Sequence, residues 1–453
     1  MVWSSNEKVM NTEKMDKCNT WSDIDWKIVE RKVFKLQKRI YRASQRGDVK
    51  LVHKLQRLLI KSHYGRLLAV RRVTQDNQGK KTAGIDGIKS LNPKQSLEMV
   101  NNLKITGKAK PSRRVWIPKP GTKEKRPLSI PVMFDRCLQA LVKLVLEPQW
   151  EAIFEPNSYG FRPGRSAHDA IEAIFNAIRY KPKYVLDADI AKCFDKINHE
   201  KLIEKVNTYP KLRRQIKAWL KNGVLDKGVF SETREGTPQG GVVSPLLANI
   251  ALHGMENMIK DLIENEKVKG LYGKRDKRKS ISIIRYADDF VVLHEDLNII
   301  LKCKEVIENW LKEIGLELKS SKTNITHTMI DYKGKKGFDF LGFTINQFEK
   351  GKDHSGKSTN KKLLGFKTII RASKEKINLH HKKIGDVIRG MKNAPQEALI
   401  AKLNPIIRGW CNYYKTVVCK DLFSECDHIT YQQLKRWAER RHQTKSRSWV
   451  LSC

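Results

Sequence analysis

Arg285-Tyr286-Ala287-Asp288-Asp289-Phe290 sits at the centre of residues 281–293, a run rich in β-branched and aromatic side chains that is interrupted only at Ala-Asp-Asp. That pattern predicts two strands joined by a tight turn, with adjacent carboxylates at the tip. Two neighbouring aspartates repel each other, so holding them together on a hairpin is useful where a cation binds. Hard divalent cations such as Mg2+ take carboxylate oxygens and keep positions open for substrate phosphates. The alternative for this short word by itself is a polar turn between two strands.

The remaining chain bears on that choice. It has 453 residues, 89 Lys and Arg against 49 Asp and Glu, and a formal net charge of +40. The positive charge runs along the whole length. Self-repulsion on that scale points to an anionic partner, nucleic acid first and a membrane surface second. No apolar run is long enough to span a bilayer, so no membrane association is expected. Residues 1–20 lack the apolar core of a signal peptide. The eight cysteines are scattered without Cys-x-x-Cys pairs, which fits free thiols in a reducing compartment. The expected location is a bacterial cytoplasm, with an organellar matrix as the alternative.

Apolar residues at helical spacing predict basic helices over 22–70, broken at Arg46-Gly47-Asp48. The second helix carries Lys50, Lys54, Arg57 and Lys61 as candidate RNA contacts. Arg113 to Pro118 reads as a strand, 119–122 as a turn, and 123–128 as a returning strand. Lys119 and Arg126 on its two arms are placed to grip a triphosphate. Tyr159-Gly160-Phe161-Arg162-Pro163-Gly164-Arg165-Ser166 mixes aromatic rings with Arg162 and Arg165, a composition suited to a sugar-phosphate backbone. Tyr184 to Ile190 reads as a short strand ending in acids. A carboxylate at the end of a buried strand is costly unless paired or bound to metal, so Asp189 is the candidate third ligand beside Asp288 and Asp289. The alternative for Asp187, Asp189 and Asp195 is helix capping and surface charge. Glu235 to Pro245 is a glycine-containing loop entering an apolar helix, with the Gln239 amide available to a base or sugar. A polar stretch over 346–362 reads as a linker. Basic helices with aromatic interruptions follow, including Arg408, Trp410, Tyr413 and Tyr414.

These pieces, in this order, resemble a group II intron-encoded protein, a reverse transcriptase with RNA maturase activity. The words that carry the resemblance are Tyr159 to Ser166, Gly236-Thr237-Pro238-Gln239-Gly240-Gly241 through Ala248-Asn249-Ile250, Arg285 to Asp289, Phe340-Leu341-Gly342-Phe343, and the Arg408 to Tyr414 cluster. It implies an α/β (α+β) right-hand polymerase: a basic helical N-terminal extension over 1–90, fingers over 91–180, a palm over 181–345, the linker, and a helical thumb or maturase domain over 363–453. It implies that Asp189, Asp288 and Asp289 hold two Mg2+ ions, with the Ile190 carbonyl as a further contact. Lys119 and Arg126 match the triphosphate-gripping pair, Phe194 the residue under the sugar that excludes a 2′ hydroxyl, Gln239 the amide beside the incoming nucleotide, and Lys322 a basic residue near the primer. The implied partners are the intron RNA, a DNA target and primer, and dNTPs, in splicing and in retrohoming. The sequence shows no His-Asn-His-like nuclease pattern, so a nuclease-lacking or truncated form is expected. The rival readings are a splicing-only maturase and a free-standing reverse transcriptase of defence or repair.

Overall fold

The computed structural model describes residues 20–77, 82–118, 124–268, 270–351, 354–446 and 448–449. Lys119 falls outside them. Eleven strands form three sheets among the described residues: β1 (Ser112–Pro118), β2 (Lys125–Ile130), β3 (Tyr184–Asp189), β4 (Val224–Asp226), β5 (Val229–Ser231), β6 (Ser282–Tyr286), β7 (Asp289–His294), β8 (Asn324–His327), β9 (Phe338–Phe340), β10 (Phe343–Glu349) and β11 (Phe366–Ala372). The sheet orders are β2-β1-β4-β5, β6-β7-β3-β8 and β11-β10-β9. Helices surround all three, giving a mixed α/β fold.

The N-terminal helical run divides into Trp26–Gln45, Val49–Lys61 and His63–Arg71. Asp25 and Asp48 start the first two by accepting backbone N–H groups with their carboxylates, which satisfies donors that a helix leaves unpaired. The extra break at Ser62 comes from a third cap, its hydroxyl accepting from Gly65 N. Apolar stripes from these helices close on the Met133–Glu151 helix, whose side chains are buried nearly all round. Gln56 and Gln149 bond across that contact at 2.6 Å. Lys50, Lys54, Arg57 and Lys61 fall on the opposite, exposed stripe, as their three- and four-residue spacings require.

The β6-β7-β3-β8 sheet is antiparallel throughout and buried on both faces. Leu186, Ala188, Phe290 and Val292 enter the main core, while Val185, Val291 and Leu293 face a second cluster with Tyr159, Phe343 and Tyr414. Strand alternation produces this division and puts Asp187, Asp189 and Asp289 on the second face.

Residues 346–349, the start of the expected linker, are strand instead. They continue β10, which pairs with β11 from Phe343↔Ala372 to Glu349↔Phe366. The polar composition misleads because Gln347 is fully buried. Its amide donates to the Ile178 carbonyl at 2.8 Å and to the Thr368 hydroxyl at 3.0 Å, and it accepts from Thr328 at 2.6 Å. A polar residue satisfied in this way sits inside at little cost. Beyond β11, helices Lys374–Gly390, Gln396–Tyr414 and Lys420–Arg441 pack through a small core containing Ile384, Ile388, Leu399 and Leu403.

Candidate active site

Pairing of Tyr286 with Asp289 leaves Ala287 and Asp288 as a two-residue turn. Ala287 adopts φ 59, a left-handed conformation that hairpin turns ordinarily give to Gly, Asn or Asp. Such a backbone persists only where its surroundings over-determine it. Here Arg285 does much of that. It is 3% exposed, and its guanidinium donates to the Ala287 carbonyl at 3.1 Å, to Asn249 Oδ1 at 3.2 Å and to the Ser158 hydroxyl at 2.8 Å. Asn249 in turn donates to the Gly160 carbonyl at 2.7 Å. The backbone of Asn157 to Tyr159 bonds Arg285 on both sides. Gly160 lies so close under the turn that a Cβ there would stand 2.3 Å from Ala287 N.

Register then sets the acids. Asp189, last residue of β3, stands directly opposite Asp289, first residue of β7. Like charges in directly opposed positions destabilise a sheet. Asp288 is adjacent on the turn, and its carbonyl accepts from Ile190 N at 3.2 Å. Burial, then the neighbouring Asp189 and Asp288, push the Asp289 carboxyl up to about 7. Burial and Asp189 also raise Asp288. Asp187, two residues before Asp189, is pushed up to about 7 by burial and then by Asp289 and Asp339. Against these acids, Lys322 Nζ lies 2.9 Å from Asp189 Oδ2, and its ammonium is held above its ordinary range by that bond. Arg126 on β2 is close enough for its charge to favour the ionised form of Asp288.

Among the described residues no three acidic, histidine or cysteine side chains converge as a ready-made metal cage. The donor chemistry still fits a hard divalent cation. Carboxylate oxygens are its preferred ligands, and protonation pushed toward neutral pH marks a cluster short of positive charge. Lys322 now supplies some of that charge at Asp189.

A cavity of about 700 Å³ is lined by Arg114, Trp116, Phe194, Asp195 and Gln239 among others, with none of Asp187, Asp189, Asp288 and Asp289 in its wall. Phe194 meets the exposed Phe161 ring edge-on, centroids 6.0 Å apart. Gln239 Nε2 donates to both carboxylate oxygens of Asp195 at 3.1 Å. The loop carrying Gln239 can lie against Phe194 and Asp195 because Gly236 holds φ +81 with no side chain to strike the Asp195 carbonyl.

Four of the expected nucleic-acid contacts are engaged by other parts of the fold, Arg162 and Tyr414 buried and Trp410 and Tyr413 half-buried. Arg162 is 8% exposed; its guanidinium pairs with Glu151 at 2.8 Å and donates to the carbonyls of Glu155 and Ser158. A buried arginine needs such partners, and they leave it no phosphate-facing role. Trp410 stacks on His380 at 4.4 Å and 12°. Tyr413 stacks on Phe343 and donates to the Leu341 carbonyl at 2.9 Å. Tyr414, 4% exposed, donates to the Gly342 carbonyl at 3.2 Å. The Trp-x-x-Tyr-Tyr cluster therefore fastens the C-terminal helices to the β9–β10 turn. Arg165, Arg408 and the four cations of the Val49–Lys61 helix are exposed. The supporting roles of Arg285, Asn249 and Gly160 were not assigned from sequence. All three lie in the quoted motifs, but only their convergence on the turn shows what they do.

Comparison with known proteins shows the family. Residues 117–345 match the family described as reverse transcriptase (RNA-dependent DNA polymerase), 21–103 its N-terminal domain, and 377–452 the group II intron maturase-specific domain. The chain belongs to the reverse transcriptase family, in its group II intron-encoded branch. It is 31% identical over 411 residues to the group II intron-encoded protein LtrA of Lactococcus lactis subsp. cremoris, across 75% of this chain and 66% of LtrA. It is 30% identical to protein YkfC of Escherichia coli K12, across 65% of this chain and 83% of YkfC. Maturase-like protein 1 of Euglena gracilis is 27% identical across 86% of this chain and 76% of its own length. The chain thus spans just under two thirds of LtrA.

Proposed function

We propose that the protein is an RNA-directed DNA polymerase that also binds the group II intron RNA encoding it and promotes its splicing. The observation that carries the polymerase half is the register pair Asp189–Asp289 with Asp288 on the adjoining turn. In this reading the β2-β1-β4-β5 sheet belongs to the fingers, the β6-β7-β3-β8 sheet to the palm, and the C-terminal helices to the thumb. Asp189, Asp288 and Asp289 would hold Mg2+, with the Ile190 carbonyl as a further oxygen, and the chemistry such a metal would supply is stabilisation of negative charge on phosphoryl oxygens. Two ions, a primer 3′ end and a dNTP complete the site. Lys322, paired with Asp189, is the basic residue near the primer. Arg126 takes the triphosphate together with Lys119. Gln239, oriented by Asp195, sits beside the incoming nucleotide. Use of a DNA target for retrohoming follows from the same chemistry. No helix among the described residues is long and apolar enough to cross a membrane.

The splicing half rests on the maturase-specific match and on the exposed basic helix Val49–Lys61. It is tested by sequencing the RNA that co-purifies with the protein from its native cell. One structured intron RNA is the expected result. A mixed pool of cellular RNAs would instead support a free-standing reverse transcriptase.

In this reading Phe194, five positions after Asp189, is the sugar gate; it shares a cavity wall with Gln239. Phe194→Ala is expected to raise ribonucleotide incorporation relative to deoxyribonucleotide by about tenfold or more, because a hydroxyl excluded by packing contact is discriminated by about 1–3 kcal/mol. Competition between the two nucleotides reads the ratio directly. An unchanged ratio in an active variant rejects the role.

A further inference from the structure

A second cavity, of about 640 Å³, lies where the Val49–Lys61 helix meets residues 103–105 and the start of the Pro210–Leu220 helix. None of its lining residues belongs to the acid cluster or to the cavity lined by Phe194 and Gln239. Six cations line it: Arg57, Lys61, Arg66, Lys104, Lys211 and Arg214. No carboxylate does. Its floor is apolar, made by Ile60, Leu103, Ile105 and Tyr209. Arg57 holds its guanidinium carbon 4.7 Å from the Tyr209 ring centroid, and His53 meets the same ring edge-on at 5.9 Å. Arg66 is fixed by bonds to the carbonyls of Lys61 and Val100.

We infer that this cavity receives one unpaired nucleotide of a structured RNA, its base on the apolar floor and its flanking phosphates on the basic rim. The inference rests on the RNA-binding reading above and deepens it. A duplex backbone alone needs cations on a flat or convex face and has no use for a buried apolar floor. A base has two apolar faces and an anion on each side, which is the combination that this lining matches. Arginine and aromatic planes are the usual platforms for an unstacked base, and each such stack contributes enough to change affinity by about tenfold or more. The volume admits one nucleotide and not a helix. Because Arg57 and Lys61 reach the rim from the N-terminal helix and Lys211 and Arg214 from the Pro210–Leu220 helix, a bound nucleotide ties those two segments together.

The test uses the full chain and two RNA hairpins that differ only in one bulged uridine. The wild-type protein is expected to prefer the bulged hairpin by about tenfold. Lys211→Glu with Arg214→Glu, both exposed and so tolerated by the fold, is expected to reduce that preference to about onefold. In the wild type, 5-iodouridine at the bulge is expected to cross-link to the 209–214 segment under near-ultraviolet light. No preference in the wild type, a preference that survives in the double variant, or a cross-link elsewhere overturns the inference. If the wild type binds the paired hairpin well but shows no preference, only the pocket assignment fails. If it binds neither hairpin, the RNA-binding reading fails with it.

Discussion

Asp288→Asn is expected to lower Mg2+-dependent primer extension on an RNA template by about a thousandfold, with protein-assisted splicing at low Mg2+ largely retained. The substitution keeps the side chain's shape and removes one negative charge from the turn between β6 and β7. Metal-assisted phosphoryl chemistry draws several kcal/mol of transition-state stabilisation from its ions, and each 1.4 kcal/mol or so is a tenfold change in rate. Splicing is carried out by the RNA, so there the protein need only hold the RNA's active fold. That task rests on phosphate neutralisation and stacking distributed over many contacts. Extension and splicing are timed with the same preparation. Near-normal extension sinks the catalytic assignment. Collapse of both activities in a folded variant sinks the division between them.

Gly160→Ala tests the scaffold instead of the acids, and its effect should also be large. The added methyl would stand 2.3 Å from Ala287 N and 2.9 Å from the Tyr286 carbonyl carbon, both backbone atoms of the turn between β6 and β7. Neither side can yield easily. Gly160 is tied through its carbonyl to Asn249, and Ala287 through its carbonyl to Arg285. The turn must shift, carrying Asp288 and Asp289 away from Asp189. A displacement of about 1 Å at reacting groups costs on the order of a hundredfold in rate, while overpacking at one site costs about 1–3 kcal/mol of stability. The expected result is therefore a folded protein with extension reduced about a hundredfold. Circular dichroism and a melting curve establish folding, and primer extension gives the rate. Wild-type rates from Gly160→Ala would show that the close approach of the 158–160 segment does not position the acids.

Some of this organisation was legible in the residues. The alternation around Asp288-Asp289 gave the hairpin, and the acids ending the 184–190 run gave its partner strand, because side-chain period is local information. The helix break at Arg46-Gly47-Asp48 and the three- to four-residue spacing of Lys50, Lys54, Arg57 and Lys61 are also local. What sequence left open was the partner of each polar or aromatic side chain. Arg162 and Arg165 have the same composition-based reading, yet one is buried against Glu151 and the other exposed. Trp410, Tyr413 and Tyr414 look like a stacking surface for bases until the β9–β10 turn is found against them. Gln347 looks like linker until Thr328 and Thr368 meet its amide. The sequence by itself determined the charge, the β6–β7 hairpin, the strand before Asp189 and the basic N-terminal helices, since each depends on near neighbours. Tertiary structure alone decided that Asp189 faces Asp289, that Arg285 and Gly160 hold their turn, and which cations remain free to meet RNA. Those outcomes depend on register and on contacts between residues distant in sequence, such as Asp189 with Asp289 and Arg285 with Ser158, and burial there turns the same side chain from a ligand contact into a structural bond.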